Sequence, residues 1–227
     1  MPKSKVGVTL RIEVRDDKGR VVKVIETPSR SFTQNFATLL FASMWTEDSI
    51  SDWNITYTVY DVMGSPIYIA GGGFLYDVLF LFYSEPQYIA PPYQSYIIYM
   101  PGIWPGAAFC PDPKYAYGPC SPISTSVLSP TLFSFPSSPV YTASGWQMAY
   151  SQTWTNVTST PVIVSSVALV FGVTGDPIAP GYLSLNFGTL GPGYYILYAA
   201  IVDNITPAVV IDSGYSVTFT YTLLYAV

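Results

Sequence analysis

The chain has 227 residues, of which 50 % are hydrophobic, 16 % aromatic and only 10 % charged, and it contains no histidine. This composition excludes an intrinsically disordered chain, which needs low hydrophobicity and high net charge. The lack of histidine excludes a Ser-His-Asp triad, and two cysteines cannot form a four-thiolate metal site. We therefore expect no enzyme activity, with no catalytic residue, cofactor or metal site.

Charge is distributed unevenly along the chain. Residues 1–30 hold eight basic and four acidic residues, a net charge of +4, whereas the other 197 residues hold one base and ten acids, a net charge of −9. Such asymmetry predicts two parts of the surface that face different surroundings, and the alternative is an ordinary solvated hairpin. Because acids are interspersed among the bases, we expect no sequence-specific nucleic-acid binding.

The first predicted unit, residues 1–30, is a basic β-hairpin. Apolar and polar residues alternate over 4–15, which is typical of a half-buried strand. A turn at 16–19 ends in glycine, and a second strand follows over 20–27. The segment lacks the continuous apolar core of a signal peptide, and no run is long enough for a transmembrane helix. We therefore expect synthesis in the cytoplasm without a secretion signal.

The second predicted unit, residues 31–48, contains one short helix over 31–45. Ser31 and Gln34 have the spacing of a capping box at the start of this helix. Its apolar residues recur at helical spacing and predict a core-facing side rather than a binding role. They are Phe32, Phe36, Leu39, Leu40 and Met44.

The third predicted unit, residues 49–227, is a β-sandwich. Strands are predicted at 53–60, 74–83, 95–100, 147–155, 162–173, 183–187, 194–202 and 215–226. The segment 101–145 contains nine prolines and is predicted to be an irregular insertion that packs on the same domain or on a neighbouring subunit. The apolar terminal strand must be paired, either in the core or with another subunit. The predicted class is therefore all-β, a β-sandwich or jelly roll with an N-terminal hairpin and one short helix.

Two kinds of covalent modification are suggested by short motifs. Cys110 and Cys120 flank a loop rich in proline and glycine, so they are candidates for a disulfide, with two free thiols as the alternative. Asn54, Asn156 and Asn204 each begin an Asn-X-Thr sequon and are candidate glycan attachment sites. Pro207, directly after the third sequon, makes that one the weakest.

The surface predicted after residue 53 carries very little charge. Its charged residues are Asp61, Asp77, Glu85, Asp112, Lys114, Asp176, Asp203 and Asp212. One explanation is exposure to hot acid, where carboxylates become protonated and lose their charge, whereas neutral polar groups are unaffected by pH. The other is burial of much of the surface in an assembly.

Three segments resemble virion proteins of tailed phages and archaeal viruses. They are the Asn/Thr turn at 154–158 that leads into an apolar run at 162–170, the alternating Thr/aromatic strand at 212–223, and the opening of the helix at 31–36. The resemblance implies a capsid, penton or turret subunit of an archaeal icosahedral virus, located in the virion. Its implied partners are copies of itself and other structural subunits.

The sequence is also compatible with other functions. One is a cell-surface filament or adhesin subunit of a thermoacidophile, and another is a carbohydrate-binding module, which requires coplanar exposed aromatic rings. A glycosidase would need two carboxylates at a defined separation, and no motif selects such a pair among the acidic residues.

Overall fold

The computed structural model describes residues 5–29, 31–38, 56–60, 64, 66–70, 102–131, 134, 140–143, 145–174 and 195–226. These residues are nearly all β, and the prediction of an all-β fold is confirmed. Two antiparallel sheets, here named sheet A and sheet B, enclose one core. The predicted strands at 74–83, 95–100 and 183–187 lie outside the described residues.

Sheet A has six strands and contains both ends of the described chain. In spatial order its strands are β2 (Val21–Ser29), β1 (Lys5–Arg15), β11 (Ser216–Ala226), β8 (Gly145–Asn156) and β6 (Leu128–Pro130), and β7 (Val140–Thr142) also pairs with β8. The terminal strand β11 therefore has a neighbour on each side. Of the two alternatives for its pairing, the structure selects the core of the same subunit.

Sheet B has three strands in the order β10 (Tyr195–Ile211), β9 (Val162–Thr174) and β5 (Gly102–Gly106). Every residue from 164 to 171 of β9 is buried, so both faces of this strand are covered. A separate hairpin consists of β3 (Thr56–Tyr60) and β4 (Pro66–Ala70).

The helix begins later than its capping box predicts. Ser31 accepts a backbone hydrogen bond from Val202, and Phe32 forms a β-bridge with Ile201, so this segment runs along β10. The helix α1 is described over 34–38, and the Thr33 hydroxyl accepts the N–H of Phe36, as an N-cap residue does. The capping role of Ser31 was therefore wrong, because pairing with sheet B holds Ser31 in extended backbone.

The proline-rich segment 101–145 packs on the same domain, one of the two alternatives predicted for it, and three short parts of it are strands. It contributes edge strands to both sheets, β5 to sheet B and β6 and β7 to sheet A. Pro105 lies in β5 and Pro130 ends β6, and an edge strand tolerates proline because one side of its backbone needs no ladder hydrogen bond. Proline content excludes central strands but not edges, so the three edge strands lie within a segment that is otherwise largely irregular where it is described.

Polar side chains of sheet A complete the backbone hydrogen bonding of β5. The Trp154 indole N–H donates to the Ile103 carbonyl at 2.8 Å, and Gln152 Oε1 accepts the Ile103 N–H at 2.7 Å. Gln152 Nε2 also donates to the carbonyl of Thr131, beside β6. These contacts tie the edge of sheet B to sheet A, and Trp154 is fully buried among them.

Candidate functional site

An exposed row of three aromatic side chains crosses sheet A. Trp146 on β8 lies opposite Tyr141 on β7 and opposite Tyr225 on β11, so the three side chains stand on one face of the sheet. Their exposed fractions are 68 % for Tyr141, 46 % for Trp146 and 45 % for Tyr225. We call these three residues the aromatic row.

The aromatic row continues the core-facing side of sheet A beyond the core. Along β8, the same side carries buried Tyr150, then half-buried Met148, then Trp146. Along β11 it carries buried Tyr221, then half-buried Leu223, then Tyr225. The row therefore consists of large aromatic side chains of the kind found in a core, but these side chains are exposed.

The rings of the row do not share a plane. The centroids of Tyr141 and Trp146 are 5.0 Å apart, and their planes meet at 60°. This is a tilted packing geometry between neighbouring aromatic side chains. It differs from the coplanar arrangement that stacking on sugar rings requires.

A second exposed feature is the disulfide loop, residues 107–123, which follows β5 and lies before β6 in the chain. The structure links Cys110 and Cys120, and their Cα atoms are 5.3 Å apart, within the usual range for a disulfide. Backbone hydrogen bonds from Ala107 to Ser121 and from Ala108 to Cys120 close the base of the loop. The oxidised state of the two cysteines stays a prediction, and gels of the cut protein with and without reductant test it.

Sheet B holds both ends of this loop. The Asn204 side chain accepts the Cys110 N–H and donates to the Cys110 carbonyl, each at 2.8 Å, as a neighbouring strand would. The Ser166 hydroxyl accepts the N–H of Cys120 at 3.1 Å. The loop lies close against Gly106, where a Cβ atom would overlap the Cys120 carbonyl.

The outer side of the disulfide loop carries exposed aromatic and charged groups. Phe109, Tyr115 and Tyr117 are all exposed. The Lys114 ammonium lies 3.7 Å from the Asp112 carboxylate and 4.7 Å from the centroid of the Tyr115 ring. The second distance is that of a cation–π contact.

The sequon asparagines have structural roles where the structure describes them. Asn156 is buried, and its amide nitrogen donates to the carbonyls of Thr160 and Ile211. Its oxygen accepts the N–H and hydroxyl of Thr158. Asn156 therefore stabilises the turn through both N–H groups of its amide, and its use as a glycan attachment site stays a prediction.

Asn204 likewise uses its amide nitrogen, because that atom donates to the Cys110 carbonyl. A secondary amide at Asn204 would still have one N–H for this bond, so glycan attachment at Asn204 stays a prediction. Asn54 lies outside the described residues.

Five charged side chains of the hairpin form ion pairs with one another, namely Arg11, Glu13, Arg15, Asp16 and Arg20. Arg11 and Arg15 both contact Glu13, and the hydrogen bond from Arg11 is the strongest influence that lowers the pKa of Glu13. Burial alone would raise the pKa of Asp16, but hydrogen bonds from Arg20 and Lys18 outweigh it and lower that pKa. This internal pairing favours the alternative of an ordinary solvated hairpin.

Buried tyrosines line the core between the sheets. Burial raises the pKa of Tyr150 to about 12. Burial, followed by the nearby Asp203 carboxylate, raises the pKa of Tyr221, whose hydroxyl donates to Asp203 at 3.0 Å. These phenols stay protonated at ordinary pH and act as hydrogen-bonding core residues.

The sequence did not identify the aromatic row. The alternation of threonine and aromatic residues in 215–226 shows that Tyr225 shares a side with the core residues of β11, but it does not show where the core ends. The register that places Tyr141 and Tyr225 beside Trp146 depends on contacts between distant parts of the chain.

The described ranges contain no group of three or more Cys, Asp or Glu side chains arranged to hold a metal ion. No helix among them has the length and apolar character needed to cross a membrane.

Comparison with known proteins gives no relative. No protein-family model, curated protein or solved structure matches this chain.

Proposed function

We propose that the chain is a structural subunit of a virus particle, such as a capsid, penton or turret component, which assembles with copies of itself and other structural subunits. The observation that carries this proposal is the aromatic row. Tyrosine and tryptophan are enriched in the cores of protein interfaces and supply much of their binding energy. Three such side chains in register form a compact patch that a neighbouring subunit can cover.

The low charge of the sandwich supports association. In the described ranges that follow α1, the charged residues are Asp112, Lys114, Asp203 and Asp212. Asp203 is buried, and Asp112 is paired with Lys114. Since net charge and charged side chains oppose association, this surface offers little repulsion to a second copy.

The contact that we propose uses side chains rather than strand addition by the C-terminus. Strand β11 lies between β1 and β8, so its backbone is fully engaged within sheet A. What β11 contributes is the exposed ring of Tyr225 in the aromatic row. Subunits joined by such a heterologous contact close into a ring when the rotation between them permits.

The tilt of the row favours a subunit contact over a carbohydrate platform. The Tyr141 and Trp146 planes meet at 60°, so they do not present one flat surface to a sugar. A filament subunit would use the same kind of contact, and the shape of the assembly in electron micrographs separates a filament from a closed particle.

The test is a triple substitution of the aromatic row, Tyr141→Ser, Trp146→Ser and Tyr225→Ser. A matched control replaces three exposed valines elsewhere, Val22→Ser, Val24→Ser and Val210→Ser. We expect sedimentation velocity to show assembly for the wild type and the control. We expect association at least ~30-fold weaker for the row variant, the effect of losing one interface hot spot.

Equal assembly of the row variant and the control would contradict the role of the row. Circular dichroism must show the same β content for all three proteins, so that a folding defect is not mistaken for a lost contact.

A further inference from the structure

Lys114 occupies an unusual position in both the sequence and the structure. It is the only lysine or arginine after Arg30. Its side chain is 59 % exposed, and it lies in a short 3-10 turn, Pro113–Tyr115, outside both sheets. Cys110 and Cys120 flank it, so the Lys114–Tyr115 peptide bond lies inside the ring that the disulfide closes.

The other basic residues of the described chain lie in paired strands or in a tight turn. Lys5, Arg11 and Arg15 lie in β1, which has hydrogen-bonded neighbours on both sides, and Lys23 lies in β2. Lys18 and Arg20 lie in a tight turn, where their N–H groups donate to the Asp16 carboxylate. A protease must pull several residues into its cleft, and exposed loops allow this far more easily than paired strands do.

We propose that the disulfide loop is a limited-proteolysis site for a trypsin-like endoprotease, which cuts Lys114–Tyr115 and leaves two chains joined by Cys110–Cys120. Such proteases select lysine or arginine before the cut, and this loop offers an exposed lysine. In the reaction, water adds to the Lys114 carbonyl carbon and the bond to the Tyr115 nitrogen breaks. The products are a carboxylate at Lys114 and an ammonium group at Tyr115.

The cut chain should keep its fold, because both fragments contribute to both sheets. The first fragment carries β1 to β5 and the second carries β6 to β11. In sheet A, β1 of the first fragment pairs with β11 of the second, and in sheet B, β5 pairs with β9. Neither fragment therefore has a core of its own, and the two stay paired in both sheets after the cut.

The ends of the cut loop also stay in place. Cys110 belongs to the first fragment and is held by Asn204, whereas Cys120 belongs to the second and is held by Ser166. Only the short turn between these anchors, with its exposed Tyr115, gains freedom. This inference does not depend on the proposed role in a virus particle.

The experiment is digestion of the native, full-length protein with trypsin. The products are then analysed by mass spectrometry and by denaturing gels with and without reductant. We expect a fragment that begins at Tyr115. Without reductant it should remain linked to the fragment that ends at Lys114, and with reductant the two should separate. Circular dichroism and gel filtration of the cut protein should match those of the intact protein.

Two variants make the result specific. Lys114→Gln should abolish the fragment that begins at Tyr115, because no other basic residue follows Arg30. In the double variant Cys110→Ser and Cys120→Ser, the fragment should form but separate from its partner on gels without reductant.

Three outcomes would overturn the proposal. They are no fragment beginning at Tyr115 in the wild type, separation of the wild-type fragments without reductant, and unfolding or rapid further digestion once the cut is made.

Discussion

Replacing Trp154 with alanine is expected to lower the free energy of unfolding by about 3–5 kcal/mol, the usual cost of truncating a buried tryptophan. Trp154 is only 1 % exposed, and its indole N–H donates to the carbonyl of Ile103 across the two sheets. The substitution removes both a large core side chain and this hydrogen bond. For a chain of this size, the loss corresponds to a fall in melting temperature of roughly 10 °C.

The control for this prediction is Trp154→Phe. Phenylalanine retains much of the apolar volume but cannot donate to Ile103, so we expect a smaller cost of about 1–3 kcal/mol. Denaturant unfolding of the three proteins measures the difference. An alanine variant within about 1 kcal/mol of the wild type, below the usual cost of such a truncation, would contradict the packing described for the two sheets.

The second large effect is expected at Asn156, where alanine should cost about 2–4 kcal/mol. The side chain is 1 % exposed and bonds Thr158, Thr160 and Ile211 at once. Alanine would leave the Thr160 and Ile211 carbonyls without this donor, and an unsatisfied buried group costs about 1–3 kcal/mol. Denaturant unfolding gives the value directly.

Asn156→Asp distinguishes hydrogen bonding from packing at this position. It keeps the size of the side chain but places a carboxylate oxygen against two carbonyl oxygens, which raises the pKa of the new group in the folded state. The stability of this variant relative to wild type should therefore fall as pH rises through the ordinary Asp range. A pH-independent difference would mean that the amide donors do not stabilise the turn.

The strands with a strong apolar pattern, whether alternating or continuous, were predictable from the sequence. The predictions at 4–15 and 162–173 match β1 (Lys5–Arg15) and β9 (Val162–Thr174) closely. These segments form inner strands, where burial of a regular apolar pattern determines the structure and local sequence carries the signal.

The short edge strands β4 and β5 and the second half of β10 were not predictable, because proline and glycine hide them. Strand β4 begins at Pro66, and β5 consists of Gly102–Gly106 with a proline inside it. Strand β10 continues to Ile211, past the predicted end at 202, because its register shifts after Asn204 absorb Pro207. In each case a neighbouring strand or side chain supplies what the local sequence lacks.

The candidate sites divide in the same way, into features that the local sequence predicts and features that depend on distant parts of the chain. The sequence identified Cys110 and Cys120 as a pair, since both flank one proline-rich loop. It marked Asn156 and Asn204 as candidate glycan attachment sites but did not show that their amides hold a turn and the disulfide loop. A sequon records only local spacing, and the buried partners of these side chains come from distant parts of the chain.

The most direct test of the assembly proposal is the native mass of the intact protein, measured by light scattering at high concentration at acid and at neutral pH. We predict a discrete oligomer of fixed mass at both pH values, because the aromatic row gives each copy the same contact and its three side chains are uncharged in acid and at neutral pH. A monodisperse monomer at both pH values would contradict it.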